Sequence, residues 1–400
     1  MRSFLFFFAS CCLAAACSDG GAEPAPDAGV EASAPEAGFS PAEHPPAPII
    51  TSSGGSVLAS PKVVVVTFSN EPFASDLETF AQTLGSSSYW AATTGEYGVG
   101  PLAYAGAVHV DAPPATTMST DALESWLASE LDGTHPEFPS YDPSTIYAIV
   151  MPKGAGIQVD GAPPCASSPA YHYEIDSGAQ HIVYAAINRC DPLFGLSGID
   201  YLTAGLSHEL VEASTDPLYI SAPAYDGPAA KYTDWNLVTG GEVADFCTPM
   251  NDVYFKPSDF PFTVQRSWSN AAAAAGHDPC VPAFAGPYFA AVPVLPDTLK
   301  GTYYGQAFTS EGVHVALGAS VDVEVDLFSD APTDAFAVSA TSTGADLGFA
   351  WDRASGSNGD VLTLTITRKA DAKNIAGIDF FEISAMLDGR VVKWIGAVGN

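Results

Sequence analysis

The chain has 400 residues, with 46 Asp and Glu against 14 Lys and Arg, a formal net charge of −32. So acidic a balance excludes nucleic acid as a partner, because phosphate backbones are held by Lys and Arg. It fits a soluble surface outside the cytoplasm and a weak general attraction for divalent cations.

The N-terminus reads as a targeting signal. Arg2 precedes the apolar run Phe4-Leu5-Phe6-Phe7-Phe8, and small residues lead into Leu13-Ala14-Ala15-Ala16-Cys17. A positive start, a short apolar core and a small-residue end mark a secretory signal peptide, too short for a spanning helix. Because the small residues abut a cysteine, the segment resembles a bacterial lipobox. Residues 1–16 would then be removed and Cys17 lipidated, anchoring the chain to a membrane. The leucine stands one position earlier than a lipobox usually places it, and plain secretion is the alternative. Residues 17–58 are rich in Ala, Pro, Glu, Gly and Ser, with no Lys or Arg. Such a composition buries too little apolar surface to fold, so a disordered tether is expected. The expected location is extracytoplasmic, as a cell-envelope lipoprotein or a secreted protein.

Residues 59–285 read as an α/β (α+β) domain. Lys62-Val63-Val64-Val65-Val66-Thr67-Phe68 is a continuous β-branched run, the pattern of a buried strand. Asp76 to Leu84 reads as a helix with Leu77, Phe80, Ala81 and Leu84 on one side. Ser144 to Met151 and His181 to Ile187 are further buried strands. A helix follows, because Leu202, Leu206, Leu210 and Ala213 recur at three- and four-residue steps. Pro217 stops it by disfavouring helical geometry in the preceding residue. Residues 286–400 differ. Val313 to Leu317, Ser320 to Leu327 and Val361 to Thr367 alternate apolar and polar residues between turn signals, the pattern of an all-β sandwich. His314 is expected to face outward there.

Four cysteines remain after Cys17: Cys165, Cys190, Cys247 and Cys280. An even set in an exported chain points to two disulfides, with three pairings open. The shortest loops favour Cys165–Cys190 and Cys247–Cys280.

The chemistry is concentrated in Ser207-His208-Glu209-Leu210-Val211-Glu212. It reads H-E-x-x-E, one letter from the H-E-x-x-H of zinc peptidases. On a helix His208 and Glu212 share one face, so both can ligate one ion. Glu209 stands where such enzymes keep the general base that activates water at the metal. The competing reading is an exposed helix face with solvated glutamates.

His208-Glu209-Leu210-Val211-Glu212, followed by Thr215-Asp216-Pro217, then Glu242-Val243-Ala244-Asp245-Phe246-Cys247, then Val264-Gln265-Arg266-Ser267-Trp268-Ser269-Asn270, resembles the plant exordium (phosphate-induced protein 1) family and related bacterial secreted proteins. Cys165 and His172 match a further cysteine and Y-H element of that family. The resemblance covers roughly residues 60–282 and implies an extracellular protein with a zincin-like helix. It leaves the third metal ligand open. Asp245 would give one imidazole and two carboxylates. His172 would give the two-histidine, one-glutamate set of catalytic zinc sites, with Asp245 orienting a ligand from behind. Against these stand a structural histidine at 172 and a turn aspartate at 245. His277 reads as a loop residue and Trp268 as core or cleft wall.

Two functions follow as expectations. One is a lipid-anchored, zinc-dependent metallohydrolase of the peptidase type, with Glu209 as general base. The other is a non-catalytic surface protein on the same scaffold, binding a peptide, a surface polysaccharide or a signalling partner.

Overall fold

A computed structural model of the chain describes residues 38–400, apart from 70, 114, 167, 179, 304–305, 343 and 373–376. The expected signal peptide, Cys17 and the first part of the expected tether lie outside the described residues. The fold is mixed α/β, rich in sheet, with few helices.

The β-branched runs build a five-stranded sheet: β1 (Lys62–Phe68), β2 (Ala103–Val110), β3 (Thr145–Val150), β4 (Ala170–Asp176) and β5 (His181–Ile187). Its order is β2-β1-β3-β5-β4, parallel except for the antiparallel β4–β5 pair. The three central strands are almost wholly buried because both faces are covered. On one face Val64, Val66, Tyr147, Ile149 and Tyr184 pack with Leu123 and Leu127 of a helix over Thr120–Glu130. On the other, Val63, Val65, Ile146, Ala148 and Ala185 pack with Leu202, Leu206 and Leu210 of the long helix Gly198–Thr215, here called αM. The alternation of β4 sends Tyr171 and Tyr173 to the first face, and His172 to the αM face.

Residues 286–400 form two sheets. The four-stranded sheet follows the order Phe289–Pro293, Ser320–Ser329, Val361–Arg368, Leu347–Trp351. The six-stranded sheet contains Gln306–His314, Ile378–Leu387 and Arg390–Gly399 among its members. His314 ends its strand exposed, as expected. These sheets share one buried apolar cluster with the αM face. Trp235 meets Trp394 edge-on at 5.6 Å across the expected domain boundary. Arg390 reaches Asp252 at 2.8 Å and also pairs with Asp278, where it joins the fully buried Arg266.

The expected tether needs a correction. Its last part lies on the fold rather than free: Ile50 is buried, and Ile50–Thr51 pairs antiparallel with Gly227–Pro228. Trp268 Nε1 donates to the Pro48 carbonyl at 3.1 Å and Tyr232 to that of Pro46 at 2.6 Å. A proline has no N–H to strand, so this stretch offers acceptors to buried donors at little cost. Composition shows the missing apolar surface but not the polar groups elsewhere that need these carbonyls.

Candidate metal centre

Helix αM carries the H-E-x-x-E motif into the interior. It runs to Thr215, immediately before Asp216-Pro217, as the sequence indicates. Glu209 and Glu212 are each only 3 % exposed, which overturns the picture of solvated surface glutamates. Their partners come from two other elements. His172 projects from β4, and Glu242 and Asp245 come from the segment around the short turn Asp245–Cys247. That turn is tied down by the Cys247–Cys280 disulfide; the second bridge is Cys165–Cys190.

His208 Nε2 lies 3.1 Å from Glu212 Oε2 and 3.6 Å from Asp245 Oδ1. His172 Nδ1 lies 3.6 Å from Glu212 Oε2, and its Nε2 3.5 Å from Glu242 Oε1. Glu209 stands between the rings, 3.7 Å from His172 Nδ1 and 3.9 Å from His208 Nε2. Ligand atoms lie within 4.8 Å of one another in two groups: His208, Glu212 and Asp245, and His172, Glu212 and Glu242. The two sequence-derived options for a third ligand thus belong to different triads, and Glu212 belongs to both. A third group, Glu130, His135 and Glu137, is at the surface and has the character of ordinary exposed side chains.

Two observations indicate that the cluster suits a cation. Oε1 of Glu212 and Oε1 of Glu242 are buried without a hydrogen-bond partner, a costly condition for a carboxylate. Gly240, at φ +124°, lies where a Cβ would collide with the Asp245 carboxylate, so the backbone makes room for that group.

The electrostatics fit the same picture. Burial raises Glu209, Glu242 and Asp245 above the ordinary carboxylate range, the last two well above it. Burial also pushes Glu212 up, but the two histidines outweigh it and hold it at about 2. Burial opposes a charged His172, and the surrounding carboxylates prevail, raising it well above the imidazole range. At His208 burial is likewise outweighed by Glu212 and Glu209, which draw a second proton to the ring. There the side-chain amide of Gln265 opposes them. It donates to Nδ1 at 2.7 Å and is fixed from behind by donating to the Ala244 carbonyl at 2.8 Å. A donor facing Nδ1 excludes a proton there, so the neutral ring with its proton on Nε2 fits this geometry.

Glu242 and Gln265 were not singled out by sequence reasoning, although both stand in the motif blocks. The E-x-x-D spacing of Glu242 and Asp245 was the available signal. Trp268 is core, as expected, and His277 is a loop residue 2.9 Å from Asp330. Solvent touches the centre most at His208 and Asp245, whose side chains are 15 % and 17 % exposed, and less at Glu242. A scan of protein-family models and a search of curated proteins find no match for the chain.

Proposed function

We infer that the chain is an extracytoplasmic, zinc-dependent hydrolase of the peptidase type, with a zincin-like first domain and a β-sandwich behind it. The observation that carries this reading is the convergence of His208 and Glu212 of αM with Asp245 of the Asp245–Cys247 turn, with Glu209 beside them. The ordered motif blocks that resemble the exordium family support it, as does the pair of disulfides, which fits an oxidising compartment.

His208, Glu212 and Asp245 would hold the ion. A zinc ion supplies Lewis acidity toward a carbonyl and lowers the pKa of water. Glu209 is the proton carrier, and burial raises its pKa above the ordinary carboxylate range. Gln265 orients His208 from behind. A substrate would approach on the His208 and Asp245 side, where the centre meets solvent. Lipidation of Cys17 would hold the protein at a membrane, with peptides or surface polysaccharide within reach.

A second reading is a non-catalytic surface protein on the same scaffold. The near-complete burial of Glu209 favours it, since a base must reach its substrate's water. One experiment separates the two. After zinc-replete expression, Glu209→Gln keeps the metal and loses hydrolysis of a peptide library if the enzyme reading holds. Metal-free wild-type protein would end that reading, and metal-loaded wild-type protein without hydrolysis would favour the second.

A further inference from the structure

We propose that this centre is binuclear, with one ion held by His208, Glu212 and Asp245, a second held by His172, Glu212 and Glu242, and Glu212 as the carboxylate between them. The proposal rests on the reading of His208, Glu212 and Asp245 as metal ligands, and extends it to the other half of the cluster.

The geometry separates the two histidines. A zinc–nitrogen bond is about 2.0–2.1 Å, so two nitrogens on one ion lie no more than about 4.2 Å apart. Histidines 172 and 208 fall into different groups even with a 4.8 Å limit between ligand atoms. One stationary ion therefore cannot take both rings. Each ring nevertheless has its own carboxylate within reach, Asp245 at 3.6 Å for His208 and Glu242 at 3.5 Å for His172. Glu212 Oε2 faces both rings, at 3.1 and 3.6 Å.

Charge favours two ions over one. The cluster holds four carboxylates, Glu209, Glu212, Glu242 and Asp245, and two imidazoles. Two divalent cations match four carboxylates with both rings neutral, whereas with one ion Glu209 and Glu242 have only the His172 ring and shared protons to offset them. An independent sign points to the second position. Oε1 of Glu242 is buried beside His172 with no hydrogen bond, and so is Oε1 of Glu212. An ion at His208, Glu212 and Asp245 does not reach Glu242, whose nearest cationic partner is the His172 ring at 3.5 Å. Behind His172, the Asp216 carbonyl lies 3.3 Å from Nε2 and can accept its proton, leaving Nδ1 free to face Glu212 and Glu209.

The test is a metal count on the full chain. Metal-free protein is loaded with zinc, passed over a desalting column and analysed for zinc and protein. Wild type is expected to retain about two equivalents, as two-metal sites do. Glu242→Gln and Asp245→Asn should each retain about one, and Glu212→Gln should retain neither tightly. Saturation of wild type at one equivalent, unaffected by Glu242→Gln and abolished by Asp245→Asn, overturns the second ion and leaves the first reading intact. No bound metal in wild type overturns both. A second measurement does not depend on the variants folding: wild type loaded with Mn(II) should give an exchange-coupled electron paramagnetic resonance spectrum, and an isolated-ion spectrum at saturation would contradict the bridge.

Discussion

The amide nitrogen of Gln265 lies 2.7 Å from Nδ1 of His208, and it is held there by its hydrogen bond to the Ala244 carbonyl. This contact sets the tautomer of the ring whose other nitrogen faces Glu212. With the amide so placed, Nδ1 accepts and the neutral ring carries its proton on Nε2. A cation at Nε2 requires the opposite arrangement, with the amide turned so that its oxygen receives Nδ1–H. Nitrogen NMR of labelled histidine should therefore show His208 changing tautomer on zinc addition. An unchanged His208 pattern at saturating zinc would count against its role as a ligand. Replacement by leucine, which removes the orienting amide, should weaken zinc binding by about 10–100-fold.

Gly240 supplies a second handle on the same ion. At φ +124° an alanine is strained, and its Cβ would strike the Asp245 carboxylate. Gly286 has a similar φ of +113° but nothing near the place of its Cβ. Both Gly→Ala variants should lose about 1–3 kcal/mol of stability to backbone strain. Only Gly240→Ala should also lose metal affinity. Equal affinities in calorimetric titration of the two variants would refute the positioning of Asp245.

A buried ion-pair network links Arg390 of the last 115 residues to Asp252 and Asp278. Arg266 is fully buried, 3.0 Å from Asp252 and paired with Asp278, which also receives Arg390. Arg266→Met leaves Asp278 with a poorer complement of charge and should cost about 3–5 kcal/mol, as breaking a buried pair does. Urea denaturation followed by tryptophan fluorescence reads this directly; a loss below about 1 kcal/mol would place the network among weak surface pairs.

Asp234 gives the stability a pH dependence through a group outside the His–carboxylate cluster. Burial raises its pKa to about 7, although Ser310 Oγ donates to it at 2.8 Å. An unfolded aspartate titrates near 3.9, so between about pH 4 and about pH 7 the native state holds the extra proton. Stability from this group is full below the unfolded value, falls as pH rises, and levels off above about 7. Asp234→Asn should flatten that slope and raise the urea midpoint at about pH 8 more than at about pH 5. A variant with the wild-type slope would show that Asp234 titrates normally.

Much of the frame was legible in the chain. The strands at 62–68 and 181–187 coincide with the apolar runs, because strands covered on both faces need no polar alternation. The shortest-loop disulfide pairing is the one observed. His208, Glu209, Glu212, Asp245 and His172 do converge, yet their division into two triads was not readable. It depends on the pleat that turns His172 toward αM and on the turn that presents Glu242, both long-range facts. Gln265 is similar: its partners at His208 and Ala244 are 57 and 21 residues away. The packed stretch around Ile50 was hidden because its carbonyls satisfy donors at Tyr232, Trp268 and Asn270, far along the sequence.

Under the proposed function, the two imidazoles and four carboxylates are cation ligands that share protons until a metal arrives. Calorimetric titration of metal-free protein with zinc, repeated in buffers of different ionisation enthalpy near neutral pH, tests it most directly. Binding should be tight and should release protons, because raised histidine and carboxylate groups must give them up to the metal. His208→Ala should weaken binding sharply. Absence of binding, or binding without proton release and indifferent to His208→Ala, would contradict the account.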